Sequence, residues 1–85
     1  MNRDGTELDD ADAVAQQAAD RLALAMEEIG FDVGRTFPAL QGSISLEAAA
    51  RVELGRISSD DANRLAAVLE HAAQLGVTAP PAVDR

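Results

Sequence analysis

The chain has 85 residues and a formal net charge of −8, with 15 acidic residues, 7 basic residues that are all arginine, and no cysteine. This charge disfavours binding to nucleic-acid phosphates, and the lack of cysteine excludes disulfides and thiolate metal sites. No apolar run reaches the roughly 18–20 residues that span a bilayer, and the acidic start over 1–12 is unlike a signal peptide. The sequence therefore predicts a cytoplasmic protein.

Alanine dominates the apolar residues of this chain. Apolar residues make up 47% of the sequence, but 18 of them are alanine, and leucine, isoleucine, valine and phenylalanine together number 20. A chain of this length buries only about 60–65% of its surface on folding. The core of a monomer is therefore thin, and we expect further burial in a homodimer or a complex.

The first predicted element is a helix over residues 7–29, after a flexible tail over 1–6. Thr6 and Asp9 have the spacing of a capping box, and Gly30 is a typical helix stop, after which Phe31 can fold back onto Met26. Small and apolar residues recur at alternating spacings of 4 and 3, which indicates a seam that packs closely against another helix. The seam residues are Leu8, Ala11, Ala15, Ala18, Leu22, Ala25 and Ile29.

The segment 31–42 is the longest predicted connection and holds both aromatic residues, Phe31 and Phe37. Pro38 is placed to begin a single helical turn. One interpretation makes the two rings a plug across one end of the bundle. The other leaves Phe37 exposed as an anchor for a partner.

The second predicted helix covers residues 45–54. Ser45 is its expected N-cap, Ile44 precedes it as a hydrophobic staple, and Gly55 is its stop. Apolar residues lie on nearly every side of this segment, which predicts a mostly buried short helix.

The third predicted helix begins after Ser58, which forms a capping box with Asp61, and ends before Gly76. Its apolar residues form one stripe: Ala62, Leu65, Val68, Leu69, Ala72 and Leu75. A flexible tail follows over 77–85. The fold class predicted from the sequence is all-α, a small three-helix bundle with a long N-terminal, a short middle and a C-terminal helix in one domain over 7–76.

No pattern of catalytic, metal-binding or cofactor-binding residues emerges. The single histidine, His71, has no carboxylate partner in its helix and reads as a surface residue. Asp10 begins no EF-hand loop, because Ala15 and Arg21 occupy the positions that require glycine and glutamate. We therefore expect no enzymatic activity, no cofactor and no metal.

The function predicted from the sequence is a protein–protein interaction module, an adaptor, accessory subunit or regulator that acts through helix–helix packing or self-association of helix 1. One alternative is a dimeric helix-turn-helix transcription regulator formed by helices 2 and 3, although Asp60 and Asp61 would face the DNA. Another is a non-catalytic small subunit of an enzyme complex. Nucleic-acid binding is unlikely on charge grounds, and no membrane contact is expected. The predicted interaction residues are Ala11, Ala15, Ala18, Leu22, Leu24, Ala25, Ile29 and Phe37.

Overall fold

The structure, a computed structural model, describes residues 3–82, with side chains from residue 10 onward. It contains three helices and one two-stranded antiparallel sheet. The elements in chain order are α1 (Arg3–Glu28), α2 (Val33–Thr36), β1 (Gln41–Ile44), β2 (Ala50–Glu53) and α3 (Ser59–Gln74).

The prediction of an all-α three-helix bundle is wrong, because the segment predicted as helix 2 turns into β2. β1 and β2 form a hairpin in which Gly42 pairs with Val52 and Ile44 pairs with Ala50. Of residues 50–53, Val52 alone is half-buried and the other three are exposed. The fold is therefore a mixed one, and the helix-turn-helix outline is not formed.

The hairpin loop contains Ser45, which the sequence predicts as the N-cap of a helix. The Ser45 amide donates to the Ala49 carbonyl at 2.9 Å, and the Ser45 hydroxyl accepts from the Ala49 amide at 3.1 Å. Ala48 takes a positive φ of 63°, which is uncommon for any residue other than glycine. Ser45 thus caps a loop rather than a helix, and Leu46 at the loop tip is fully exposed.

Helix α1 begins at Arg3, so the predicted start at residue 7 is too late and Thr6 lies inside the helix. Its predicted end is confirmed. The Gly30 amide donates to the Glu27 carbonyl at 3.1 Å, and the Phe31 amide donates to the Met26 carbonyl at 3.0 Å. With Gly30 at φ 105°, these two bonds form the Schellman ending that the sequence predicts.

The hairpin packs directly on α1 through backbone atoms. A Cβ atom at Gly42 would lie 2.6 Å from the carbonyl carbon of Ala15 and 2.8 Å from the amide nitrogen of Gln16. Ala15 and Ala19 on this side of α1 are 1% and 3% exposed. The small residues of α1 therefore permit the close approach that the sequence predicts, but the neighbour is a strand rather than a helix.

The aromatic rings form the centre of the core. Phe31 and Phe37 are 4% and 3% exposed, and their rings meet edge to face with centroids 5.8 Å apart. Met26 and Val33 complete the buried cluster, and Leu65 of α3 packs against it. Phe37 is thus a plug, and the short helix of this segment is α2, before Phe37, rather than a turn that starts at Pro38.

Helix α3 has the predicted boundaries. The Ser58 hydroxyl accepts from the Asp61 amide at 3.0 Å, and after the helix the Val77 amide donates to the Ala72 carbonyl at 2.9 Å across Gly76. Only half of the predicted capping box forms, because the Asp61 carboxylate accepts from Arg64 instead. No other helix or strand of the described chain packs broadly along α3.

The chain exposes more surface than a folded monomer of its mass usually does. Its accessible surface is 6901 Å², whereas the scaling for monomeric proteins gives about 4,800 Å² for 8.9 kDa. Its radius of gyration is 15.5 Å, against about 12 Å for a compact domain of this length. The chain is therefore more extended than a compact domain of its length.

Candidate protein-interaction surfaces

Helix α1 presents an uncovered side next to the hairpin. Ala18 and Ala25 are exposed, Ile29 is 49% exposed and Leu22 is half-buried. These four residues, which we call the α1 face, follow spacings of 4, 3 and 4 and so lie along one side of the helix. The Ile29 amide still donates to the Ala25 carbonyl at 3.3 Å, so the helical geometry extends through Ile29. The α1 face is an apolar strip about 16 Å long.

Charged residues border the α1 face on one flank only. Arg21 and Glu28, both exposed, lie seven residues apart and therefore on the same side of the helix. On the other flank, Ala19 and Met26 are buried. The face thus has a charged edge toward solvent and a protein-covered edge.

The remaining predicted interaction residues fall into different surroundings. Ala15 and Phe37 are buried inside the chain and are unavailable to a partner, and Ala11 is half-buried. Leu24 is 63% exposed on the opposite side of α1 from the hairpin. The structure therefore divides the predicted seam into an intramolecular part and an exposed part.

Helix α3 carries a second uncovered surface, which shares only Ala62 and Leu69 with the apolar stripe predicted from the sequence. None of its residues is buried, although its apolar residues are grouped on one side. Leu69 and Leu75 are 60% and 69% exposed, and Val77 beyond the helix is 60% exposed. We call Ala62, Ala66, Leu69 and Ala73, which are all exposed at spacings of 4, 3 and 4, the α3 face.

One signal in the sequence points to this exposure. Only 20 residues are leucine, isoleucine, valine or phenylalanine, which is too few to cover both long helices from within one chain. Periodicity shows which side of a helix is apolar, but it does not show whether another element of the same chain covers that side.

Helix α3 is attached to the rest of the chain mainly by its first half. The Arg64 guanidinium lies 4.7 Å from the centroid of the Phe31 ring and forms an ion pair with Asp61 at 3.0 Å. Within the residues whose side chains are described, this is the one ion pair. Because Arg64 and Leu65 hold the first turns, the second half of α3 projects with its apolar side open.

A polar cavity of about 350 Å³ lies where the end of α1 meets α2 and the start of α3. Two arginines and two aspartates line it, together with Thr36 and Gly30: Asp32, Arg35, Asp61 and Arg64. The opposite charges balance one another, and Arg64 is already paired with Asp61. This arrangement gives the cavity no preference for an anion or a cation.

The groups considered for catalysis or metal binding do not converge. His71, Asp10 and Asp12 are all exposed. Among residues 10–82, no three histidine, aspartate or glutamate side chains come together as a metal site. The geometry of the described side chains thus offers surfaces for binding rather than a cluster of reactive groups.

Comparisons with protein-family models, with curated proteins and with solved structures find no match to this chain. In the part of the chain that the structure describes, no helix is both long enough and apolar enough to cross a membrane.

Proposed function

We propose that this chain is a non-enzymatic protein–protein interaction module that binds other helices through the α1 face and the α3 face. The observation that carries the proposal is α3, an amphipathic helix of 16 residues in which no residue is buried. An isolated helix of this length is marginal in water, because helices in proteins are stabilised mainly by packing of their apolar side. A partner that covers Leu69 and the rest of the α3 face supplies that packing.

The amount of uncovered surface agrees with this function. A standard protein–protein interface takes about 800 Å² from each partner, and the chain exposes about 2,100 Å² more than a monomer of its mass. Exposed apolar side chains on two helices match helix-in-groove or helix-pair recognition, in which residues at helical spacing act as anchors. The charge of −8 favours partners with basic or neutral surfaces.

The proposal places the module in the cytoplasm as an adaptor, regulator or accessory subunit without chemistry of its own. A small subunit of an enzyme complex is one form of this function. The helix-turn-helix alternative has lost its structural support, because residues 50–53 form β2.

The test compares two aspartate substitutions on α3. Leu69→Asp puts a charge in the centre of the α3 face, whereas Ala67→Asp adds the same charge at an exposed position on the other side of the helix. The tagged chain and both variants are used to capture proteins from an extract of the source cells, and the captured proteins are identified by mass spectrometry. We expect the wild type and Ala67→Asp to retain a common partner and Leu69→Asp to lose it.

Circular dichroism of each variant verifies that the helices are retained. If all three chains capture the same proteins, the α3 face is not a binding surface. If a folded wild-type chain captures nothing and stays monomeric, the proposed function is refuted.

A further inference from the structure

We infer that the α1 face is covered by a second copy of this chain, with the two α1 helices antiparallel. The inference rests on the proposed function and names the occupant of one of its two surfaces. It is carried by the spacing of the exposed residues, the position of the charged flank and the area left uncovered.

The spacing of the α1 face is the same in both directions along the helix. Ala18, Leu22, Ala25 and Ile29 are separated by 4, 3 and 4 residues. When a second copy is reversed, Ala18 meets Ile29 of the second copy and Leu22 meets Ala25 of the second copy. The twofold axis repeats each of these two contacts, so the interface has four contacts, and each of them pairs an alanine with a leucine or an isoleucine. An interface with twofold symmetry is closed and adds no third copy.

The charged flank distinguishes the antiparallel pair from the parallel one. A twofold axis perpendicular to the plane of the two helices keeps the charged flanks on one side of the interface. In this register Arg21 lies within about 3 Å, measured along the helix axis, of the level of Glu28 in the second copy. The twofold axis creates this opposite-charge pair twice.

A parallel pair has no such match. It brings Arg21 and Glu28 against the opposite flank of the second copy, where Ala19 and Met26 are already buried by their own chain. Within the described side chains, neither Arg21 nor Glu28 has an ion-pair partner in its own chain. The antiparallel arrangement supplies a partner to both.

The chain as a whole leaves more surface uncovered than a dimer contact uses. Each chain exposes about 2,100 Å² beyond the monomer expectation, and a standard interface uses about 800 Å² per partner. The α3 face belongs to a different helix and takes no part in the contact between the two α1 faces.

A charge exchange tests the pairing. In sedimentation equilibrium at about 0.15 M salt, which screens the repulsion between two chains of charge −8, we expect the wild-type chain to reach twice its mass of 8.9 kDa. Arg21→Glu and Glu28→Arg each place like charges together, and each is expected to raise the dissociation constant by at least about tenfold. The double variant Arg21→Glu/Glu28→Arg restores opposite charges and is expected to return within roughly threefold of the wild type.

Glu27→Arg is the matched control, because this exposed neighbour makes the same charge change outside the α1 face. The inference predicts that it leaves the dissociation constant nearly unchanged. All three substituted positions, Arg21, Glu27 and Glu28, are exposed on α1, and circular dichroism verifies that each variant is folded.

Disulfide formation tests the direction, since the native chain has no cysteine. The antiparallel pair predicts that Ala18→Cys chains crosslink with Ile29→Cys chains when the two are mixed. A parallel pair predicts that each variant crosslinks with itself.

Three results would overturn the inference. They are a monomer at concentrations up to about 100 μM, a dimer that the charge reversals do not weaken, and self-crosslinking of the single-cysteine chains. A monomeric chain that still captures a partner through Leu69 overturns the dimer alone and leaves the proposed function standing. Loss of that capture with an intact dimer removes only the α3 surface.

Discussion

The close approach of Gly42 to the backbone of α1 makes Gly42→Ala an informative substitution in this fold. The added Cβ atom meets the Ala15 carbonyl carbon at 2.6 Å, its oxygen at 2.8 Å and the Gln16 amide nitrogen at 2.8 Å. All three are backbone atoms of a helix, so no side-chain rotation can move them away from the new Cβ atom. An ordinary contact begins near 3.4 Å, so the strand must move away from α1 by about 0.8 Å.

We expect this displacement to lower the free energy of unfolding. Overpacking in a core typically costs about 1–3 kcal/mol, and rigid backbone on both sides places Gly42→Ala toward the upper end. The smaller backbone entropy of alanine in the unfolded chain offsets only about 0.4–1 kcal/mol of this. The net loss is thus about 1–2 kcal/mol, a large part of the stability of so small a domain.

Gly34→Ala is the control within the same chain. Gly34 lies in α2, its φ is not positive, and the nearest atom to an added Cβ is an Asp32 carboxylate oxygen at 3.8 Å. The same chemical change is therefore expected to stabilise the protein by about 0.4–1 kcal/mol. Opposite signs for the two substitutions separate the steric effect from the effect of alanine itself.

Urea denaturation followed by circular dichroism measures both variants at one fixed chain concentration, because self-association makes the midpoint concentration-dependent. A Gly42→Ala midpoint equal to or above that of the wild type would mean that β1 does not lie on Ala15. The reasoning about the hairpin would then be refuted.

Three further predictions concern the core, the helix cap and the turns. Phe37→Ala is expected to lower the free energy of unfolding by about 3–5 kcal/mol, so that little helical circular-dichroism signal remains in a thermal melt. An unchanged melting temperature would mean that Phe37 is not part of the core. Ser58→Ala is expected to lower the free energy of unfolding by about 1 kcal/mol through loss of the cap of α3, whereas Ser58→Asp should retain it. Gly55→Ala is expected to lower the free energy of unfolding more than Gly76→Ala does. Both glycines have positive φ, but only at Gly55 does the new Cβ also lie 2.5 Å from the Ala39 side chain. Equal midpoints in urea for these two variants would contradict the contact with Ala39.

Local sequence determines the long helices and their ends. Gly30 and Gly76 each allow the left-handed residue that a Schellman ending needs, and Ser58 satisfies an amide at the start of α3. These signals act within a few residues of one another, so they can be read from the sequence alone. The return of Phe31 toward Met26 follows similarly from the helix ending, whereas the sequence left Phe37 either as a plug or as an exposed anchor and the structure buries it.

The hairpin is decided only by tertiary structure. Residues 46–54 contain alanine, leucine and glutamate, which favour a helix, and their one strand-like signal is a short alternation around Val52. The strand gains its stability from β1 and from α1, where Gly42 meets Ala15 across 27 residues of sequence. No local propensity reports such a contact, and Ala48 at φ 63° shows that the tertiary fold overrides the local preference of the loop.

The candidate interaction surfaces also depend partly on local sequence and partly on tertiary structure. The sequence determined which sides of α1 and α3 are apolar, because helical periodicity places Ala18 with Ala25 and Leu65 with Leu69 on common sides. It did not determine which of those sides the chain covers by itself. The hairpin packs on α1 and buries Ala15, whereas no helix or strand within the described residues covers the α1 face or the α3 face, because exposure depends on which elements meet in three dimensions.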